Sequence, residues 1–445
     1  MKIHPVTITD PRPISFATSM QRLEKDLNEL PAGLHGLLTW ASSFDHFCVL
    51  DGSAGTDPDY AFPQLIAVGA ARTFELTSAR TFDELTDFLS PSSMGYVVQI
   101  GYGLKDRIEK LSSRHEDPIG FPDLYVFEPL HLIRFQQGHA LQIHSLNPEA
   151  VWQSLLQVAD PLVPSTIDPI RFQARCSQDQ YLEQVQGVQQ HIRRGDCYEL
   201  NYCQEFYADG VRLDPVSVYR HLCRVVQAPF SCLYRRDSRW LIGASPERFL
   251  KKTGDRLESR PMKGTAPRYA DAALDQQSAS QLLNSEKDRA ENIMVVDLVR
   301  NDLSRVAEKN SVDVPVLCQL HSFPQVHQLV STVQARLRPG VRFADILQAC
   351  FPMGSMTGAP KVRVMELTDQ YECSARGLYS GSVGFLEPNG DFDLNVVIRS
   401  LQYESTRGYL SYHVGSGITT YSDPEKEWEE CLWKSSGIRR VFGDV

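Results

Sequence analysis

Two stretches of the chain place carboxylates three residues apart where a helix begins. Asp288 and Glu291 follow Ser285, a residue type that caps helices. Glu427 and Glu430 follow Ser422-Asp423-Pro424, a helix start with proline in the first turn. Acids in a first turn complement the helix macrodipole, which accounts for either pair taken alone. If the pairs meet in the fold, a few carboxylates with waters and substrate oxygens suit Mg²⁺. A third cluster is RPMKGTAPR, residues 260–268, which reads as a rigid loop. A lysine between two arginines has its pKa lowered by like charge, so Lys263 would offer a free amine as nucleophile. An exposed basic loop has the same composition. FPMGSMTGAPK (351–361) runs into the helical VRVMELTD, and a glycine-rich turn ending at Lys361 is either an anion site or a structural turn. It is not a Walker A loop, because only three residues separate its glycines. Gly415-Ser416-Gly417 permits close backbone approach to a ligand. Arg399 reads as lying inside an apolar strand, NVVIRSLQY, where a guanidinium needs a carboxylate from protein or ligand. Glu247, in SPERF at a strand end, is a general acid or half of a surface ion pair.

These residues need a scaffold, and 445 residues with 42% hydrophobic and 22% charged composition can supply one. FCVLDG (47–52), GYVVQIGYG (95–103), LYVFE (124–128) and RWLIGASPE (239–247) read as strands. Ser177 and Gln180 have capping-box spacing ahead of Tyr181, Leu182, Val185, Val188 and Ile192 at helical intervals. Strands and helices do not alternate strictly, so the class expected is α+β. The clearest break is DPLVPSTIDPI, 160–170, which separates a region 1–160 from a region 175–440. The net charge of −10 argues against nucleic acid as a partner. It permits a small anion in a locally basic cleft. Ten cysteines without a CxxC pair read as reduced, buried thiols of a cytoplasmic protein. The N-terminus shows no signal peptide, and no apolar run approaches the ~18 residues of a membrane span.

Seven segments in order resemble the chorismate-utilising enzymes, the family of the anthranilate, aminodeoxychorismate, isochorismate and salicylate synthases. They are GDCYELNYCQEF (195–206), ASPERFL (244–250), RPMKGTAPR (260–268), EKDRAENIMVVDLVRND (286–302), FPMGSMTGAPKVRVME (351–366), RGLYSGSVGF (376–385) and GSGITTYSDPEKEWEE (415–430). The resemblance implies an α+β fold of two large antiparallel sheets packed together with helices outside, forming one intertwined body. Within the family, lysine at the place of Lys263 marks the branch that aminates chorismate at C4. Anthranilate synthases carry alanine there. Isochorismate and salicylate synthases use a lysine at the place of Glu199.

What the resemblance implies for this chain is a Mg²⁺-dependent amination. Glu291 and Glu430 hold the metal, with Asp288 and Glu427 around it, and the metal anchors the ring carboxylate. Gly264, Thr265, Tyr379, Arg399, the Gly415, Ser416 and Gly417 backbone, and Lys361 bind substrate. Lys263 attacks C2 while Glu247 protonates the departing hydroxyl, and ammonia then adds at C4. The chain has no G-x-C-x-G elbow, so ammonia comes from a separate glutamine amidotransferase subunit or as free ammonium. An anthranilate synthase component and a catalytically silent regulatory homologue are the rival readings. Two residues depart from the pattern. Gln328 stands where the family's H-L-V-S motif has histidine, with His327 before it reading as a structural residue on a helix. Glu199 stands where glutamine is frequent, and a carboxylate near an anionic substrate has to be protonated or paired. In regulated relatives a Leu-Leu-Glu-Ser motif lines a tryptophan pocket. Here the stretch is GLLTWAS (36–42), whose missing glutamate argues against tryptophan inhibition and whose Leu37 and Leu38 read as strand core.

Overall fold

A computed structural model describes residues 20–55, 57–159, 167–323 and 326–443. Most of the proline-rich break, 160–166, and the N-terminal stretch lie outside the described residues. Among the described residues there are twenty strands and eleven α-helices. The α+β class holds. The strands pair antiparallel in two limbs that share one joint. The first limb runs through Gln21–Asp26, Ala140–Ser145, Leu124–Phe135, Leu65–Glu75, His46–Asp51, Phe230–Arg236, Arg239–Ser245, Ser400–Glu404, Tyr409–Ile418 and Glu199–Ala208. The second leaves the other half of Leu124–Phe135 through Tyr96–Ile100, Ser382–Leu386, Phe392–Asn395, Arg248–Thr253, Arg256–Ser259 and Val326–Arg336, with Met262–Pro267 and Asp313–Ser322 on its flanks. At the joint, the pairing of 65–75 with 124–135 shifts register between Ala70 and Arg72. A bulge of this kind bends the ladder and lets one pair of strands serve two sheets.

Both faces of each limb are covered, so many strands read as apolar runs rather than alternating ones. Cys48 and Leu50 point into a core between the limbs, while Phe47 and Val49 point outward beneath helices. Val97 faces the same inner core, and Tyr96, Val98 and Ile100 face outward. The helices Gln178–Arg193, Pro215–Val226 and Pro424–Val441 cover the first limb, and Glu286–Ser304 and Phe343–Cys350 cover the second. The expected capping box of Ser177 and Gln180 forms. No described helix is long and apolar enough to cross a membrane.

Four local readings are corrected. RPMKGTAPR is not a loop: Met262–Pro267 is a strand against Val326–Arg336, with a register shift at Gly264, whose φ is +79°. NVVIRSLQY is not one strand either. It breaks after Asn395 and resumes at Ser400, with Arg399 in the gap at φ +52°, outside the extended range of a regular strand. His327 lies on the strand Val326–Arg336 rather than on a helix. Leu37 and Leu38 are buried on the helix Gly33–Ser42, where they were expected in a strand.

Behind the strand Glu199–Ala208 lies a fully buried ion pair. Arg376 donates to Glu372 at 2.7 and 2.9 Å, and to the carbonyls of Met356 and Asn201 at 2.8 Å each. Glu372 also accepts the Cys203 N–H at 2.8 Å. One guanidinium thus ties a strand to the Gly354–Met356 turn. Glu372→Gln leaves that guanidinium buried without its counter-charge, which costs about 3–5 kcal/mol. We expect a clear fall in the urea midpoint; an unchanged midpoint would show that the pair is not structural.

Candidate active site

The two limbs and two of the covering helices meet around one cavity of about 310 Å³. Its floor is the strand Tyr409–Ile418, paired with Glu199–Ala208 so that Gly417 opposes Asn201 and Gly415 opposes Cys203. Strand side chains alternate, so His413, Gly415 and Gly417 share the cavity face. Ser416 points the other way, fully buried. The glycines are required by close approach. A Cβ on Gly417 would lie 2.6 Å from Glu199 Oε1 and 2.7 Å from Lys263 Nζ.

Lys263 reaches the cavity from the strand Met262–Pro267, where the Gly264 bulge re-aims it. Its Nζ donates to Glu199 Oε1 at 2.6 Å, with the two side chains 12% and 2% exposed. Burial alone would lower its pKa. The carboxylates of Glu199, Glu291 and Glu430 outweigh burial and hold it above the usual lysine value. The expected lowering by two arginines fails because both are engaged elsewhere. Arg260 pairs with Glu258 at 2.8 Å and Arg268 with Asp275 at 2.9 Å. The expectation that Glu199 needs a partner is met by Lys263 itself.

Glu247 lies in the turn between the strands Arg239–Ser245 and Arg248–Thr253, buried rather than in a surface ion pair. Burial raises its carboxyl to about 7, against the nearby Ser355 hydroxyl and the charge of Lys263. That value suits a general acid near neutral pH.

The two acidic helices do meet. Lys287 Nζ lies 3.8 Å from both Glu291 Oε1 and Glu427 Oε1, bridging Glu286–Ser304 to Pro424–Val441. Ser285 caps the first helix and Asp423 the second. Burial raises Glu291 to about 7, with Lys263 opposing and Glu199 adding. Glu430 is only partly buried, and Lys434 at 2.5 Å, with Lys263 and Lys287, outweighs that burial and holds its pKa low. Among the described residues no three acidic, histidine or cysteine side chains converge into a ready-made metal cage. The fit to Mg²⁺ rests on chemistry of another kind. Glu291 Oε1 is buried without a hydrogen-bond partner, and every nearby acidic donor is a carboxylate oxygen. Mg²⁺ takes one or two carboxylates and completes its shell with water and substrate.

A family model described as chorismate binding enzyme matches residues 45–440. The chain is a chorismate-binding enzyme. It is 38% identical over 340 residues to aminodeoxychorismate synthase component 1 of Klebsiella aerogenes, spanning 76% of this chain and 75% of that protein. The Escherichia coli K12 protein of the same description is 37% identical over 352 residues, spanning 78% and 77%. The fold matches anthranilate synthase component I from Streptococcus pneumoniae with TM-score 0.74 at 27% identity, over 86% of this chain and 93% of that one. It also matches the menaquinone-specific isochorismate synthase of Escherichia coli with TM-score 0.76 at 17% identity, over 96% and 95%.

In this chorismate-binding enzyme, Lys263, Glu247, Gly264, Thr265, Tyr379, Arg399, Gly415, Gly417, Asp288, Glu291, Glu427 and Glu430 all line one cavity. Two named residues do not. Lys361 turns away to Asp302, 2.6 Å from its carboxylate, and Ser416 faces the opposite side of its strand. Gln328 lines the cavity and donates to Thr265 Oγ1 at 3.3 Å, while its Oε1 is buried without a partner. His327, next along the strand, faces away and meets Asp275 at 3.0 Å and Ser322 at 2.8 Å. Sequence reasoning missed Asn201, Lys287, Ser355, His413 and Lys434 in the lining. Lys287 and Lys434 stand four residues from Glu291 and Glu430, a spacing that pairs charges on a helix. His413 stands two residues before Gly415, on the same strand face.

Two predictions follow from this geometry. Gly417→Ala should fold normally yet lose most activity, since its methyl group falls on the Lys263–Glu199 pair; unimpaired turnover would mean that the floor tolerates side chains. Glu247 titrates near 7 instead of the usual 4.5. A carboxyl raised by folding destabilises the folded state as pH rises from 4.5 towards 7, and fully above that, by roughly 3 kcal/mol here. Glu247→Gln should therefore melt above the parent protein at pH 8 and level with it at pH 4. An equal melting difference at both pH values would show that Glu247 titrates normally.

Proposed function

We propose that this enzyme aminates chorismate at C4 with ammonia, giving 4-amino-4-deoxychorismate, a precursor of p-aminobenzoate and folate. The observation that carries the reading is that the buried Lys263 amine and the near-neutral acid Glu247 face a single cavity. Both aminodeoxychorismate synthase relatives support it. Lys263 attacks C2, the ring double bonds shift, and the C4–O bond breaks as Glu247 passes its proton to the leaving hydroxyl. Ammonia then forms the C4–N bond and the lysine leaves C2. Splitting one substitution into two places the nitrogen at C4, where direct attack is harder. Arg399, Tyr379 and the floor strand's backbone hold the substrate's carboxylates, with Thr265 beside them. Glu291 and Glu430, with Asp288 and Glu427 around them, would hold Mg²⁺, which when bound supplies counter-charge to a carboxylate of the dianion.

The names of the relatives speak of a first component, which supports a second one. We assign that role to a glutamine amidotransferase that delivers ammonia. The ten cysteines all stand free, in keeping with a reducing, cytoplasmic setting.

The test is product identification with chorismate, ammonium and Mg²⁺, with and without chelator, by liquid chromatography and mass detection. We expect aminodeoxychorismate that retains its enolpyruvyl group, formation that stops on chelation, and a loss of at least about a hundredfold in Lys263→Ala. Anthranilate with released pyruvate would move the amination to C2. No product from the intact chain would favour the silent homologue, and unaltered turnover in Lys263→Ala would remove the covalent step.

A further inference from the structure

The covalent reading asks Lys263 to act as a free amine, yet its surroundings keep it an ammonium, which has no lone pair. The proton has to go somewhere before C2 can be attacked. Among the described residues one group hydrogen-bonds Nζ, the Glu199 carboxylate at 2.6 Å. The pair is shut in: Gly417 lies over both groups with no room for a methyl. The other oxygen, Glu199 Oε2, is buried and accepts no hydrogen bond. The remaining charged groups act through space. They are Lys287, Asp288 and Glu291 from the helix Glu286–Ser304, Glu427, Glu430 and Lys434 from the helix Pro424–Val441, Arg399 from the break before the strand Ser400–Glu404, and Glu247 from its turn. His413, facing the same cavity from the floor, is uncharged at neutral pH because burial pushes its pKa down to about 4.

Resting on the covalent reading above, we propose that Glu199 is the base that frees Lys263, taking one proton from Nζ as the amine attacks C2. The bookkeeping closes. At the start the lysine is cationic, Glu199 anionic and Glu247 neutral. The N–C2 bond forms, the C4–O bond breaks, and water leaves with the Glu247 proton. The adduct is then a secondary ammonium, Glu199 a neutral acid and Glu247 a carboxylate, so the net charge is unchanged. When ammonia forms the C4–N bond, the lysine leaves as a neutral amine and recovers its proton from Glu199. The new C4 ammonium returns one proton to Glu247. A glutamine at 199 would accept the hydrogen bond but not the proton.

The experiment compares kcat for Glu199→Gln with that of the parent protein from pH 6.5 to 9, as a ratio at each pH. Ammonia ionisation cancels in that ratio. We expect the variant to be at least tenfold slower at pH 7 and to recover towards the parent by pH 9, where hydroxide replaces the missing base. Glu199→Asp, which keeps a carboxylate, should show a ratio nearly independent of pH. If Glu199 only restrains the ammonium, removing its charge lowers the lysine pKa, and Glu199→Gln matches or exceeds the parent at pH 7. That result overturns the proposal, as does a deficit that is the same at every pH. Lys263→Ala in the same assay separates the two ideas. Loss there with a parent-like Glu199→Gln profile overturns the base assignment alone, while full activity there overturns the covalent reading as well.

Discussion

An ammonium shut inside a pocket walled by carboxylates sets the terms for the rest of this molecule. Lys263 and Glu199 are both largely removed from water and 2.6 Å apart. Burying either charge alone would cost several kcal/mol, and only the pair, correctly placed, offsets that. The scaffold supplies the placement. Glu199 comes from a strand anchored from behind by Arg376, and Lys263 from an edge strand bulged at Gly264. The floor between them is glycine at 417 because a side chain there would collide with both.

The same constraint explains how an acidic protein receives a dianion. Asp288, Glu291, Glu427 and Glu430 line one end of the cavity, and Lys287, Lys434 and Arg399 are interleaved with them. The carboxylates are not equivalent. Glu430 is kept ionised by Lys434, while burial raises Glu291 to about 7, with one oxygen that makes no hydrogen bond. A substrate carboxylate arriving beside such groups meets like charge, which repels strongly at a few ångströms in a desolvated site.

How much of this the chain announces depends on how local the signal is. Helix caps are local. Ser285, Ser177 and Asp423-Pro424 mark helix starts that the structure keeps. The acid pairs at i, i+3 were legible for the same reason, though their meeting across two helices was not. Lys263's environment was misread because charge was counted along the chain, whereas a strand sends its neighbours to opposite faces. Arg260 and Arg268 therefore spend their charge on Glu258 and Asp275. Lys361 belongs to a glycine-rich turn of the right type, yet Asp302, 59 residues away in sequence, captures it. Arg399 reads as a strand residue because the apolar Val396, Val397 and Ile398 precede it, and a single left-handed residue is invisible to hydrophobic pattern. The joint between the limbs was equally hidden, since it depends on one register shift within a long pair of strands.

Positions 199 and 263 are best understood together. They face one another across a gap that admits a hydrogen bond and no side chain, so the charge at one restricts what the other can carry. A second ammonium beside Lys263 would meet like charge at hydrogen-bond distance with little water to screen it, which is worth several kcal/mol against the pair. An amine therefore works from one side of the cleft or the other, not from both. With the amine at 263, the opposite position is left for a neutral amide or an acid, and an acid adds something an amide lacks: a place within the closed site where a proton can wait while the nitrogen is bonded to carbon.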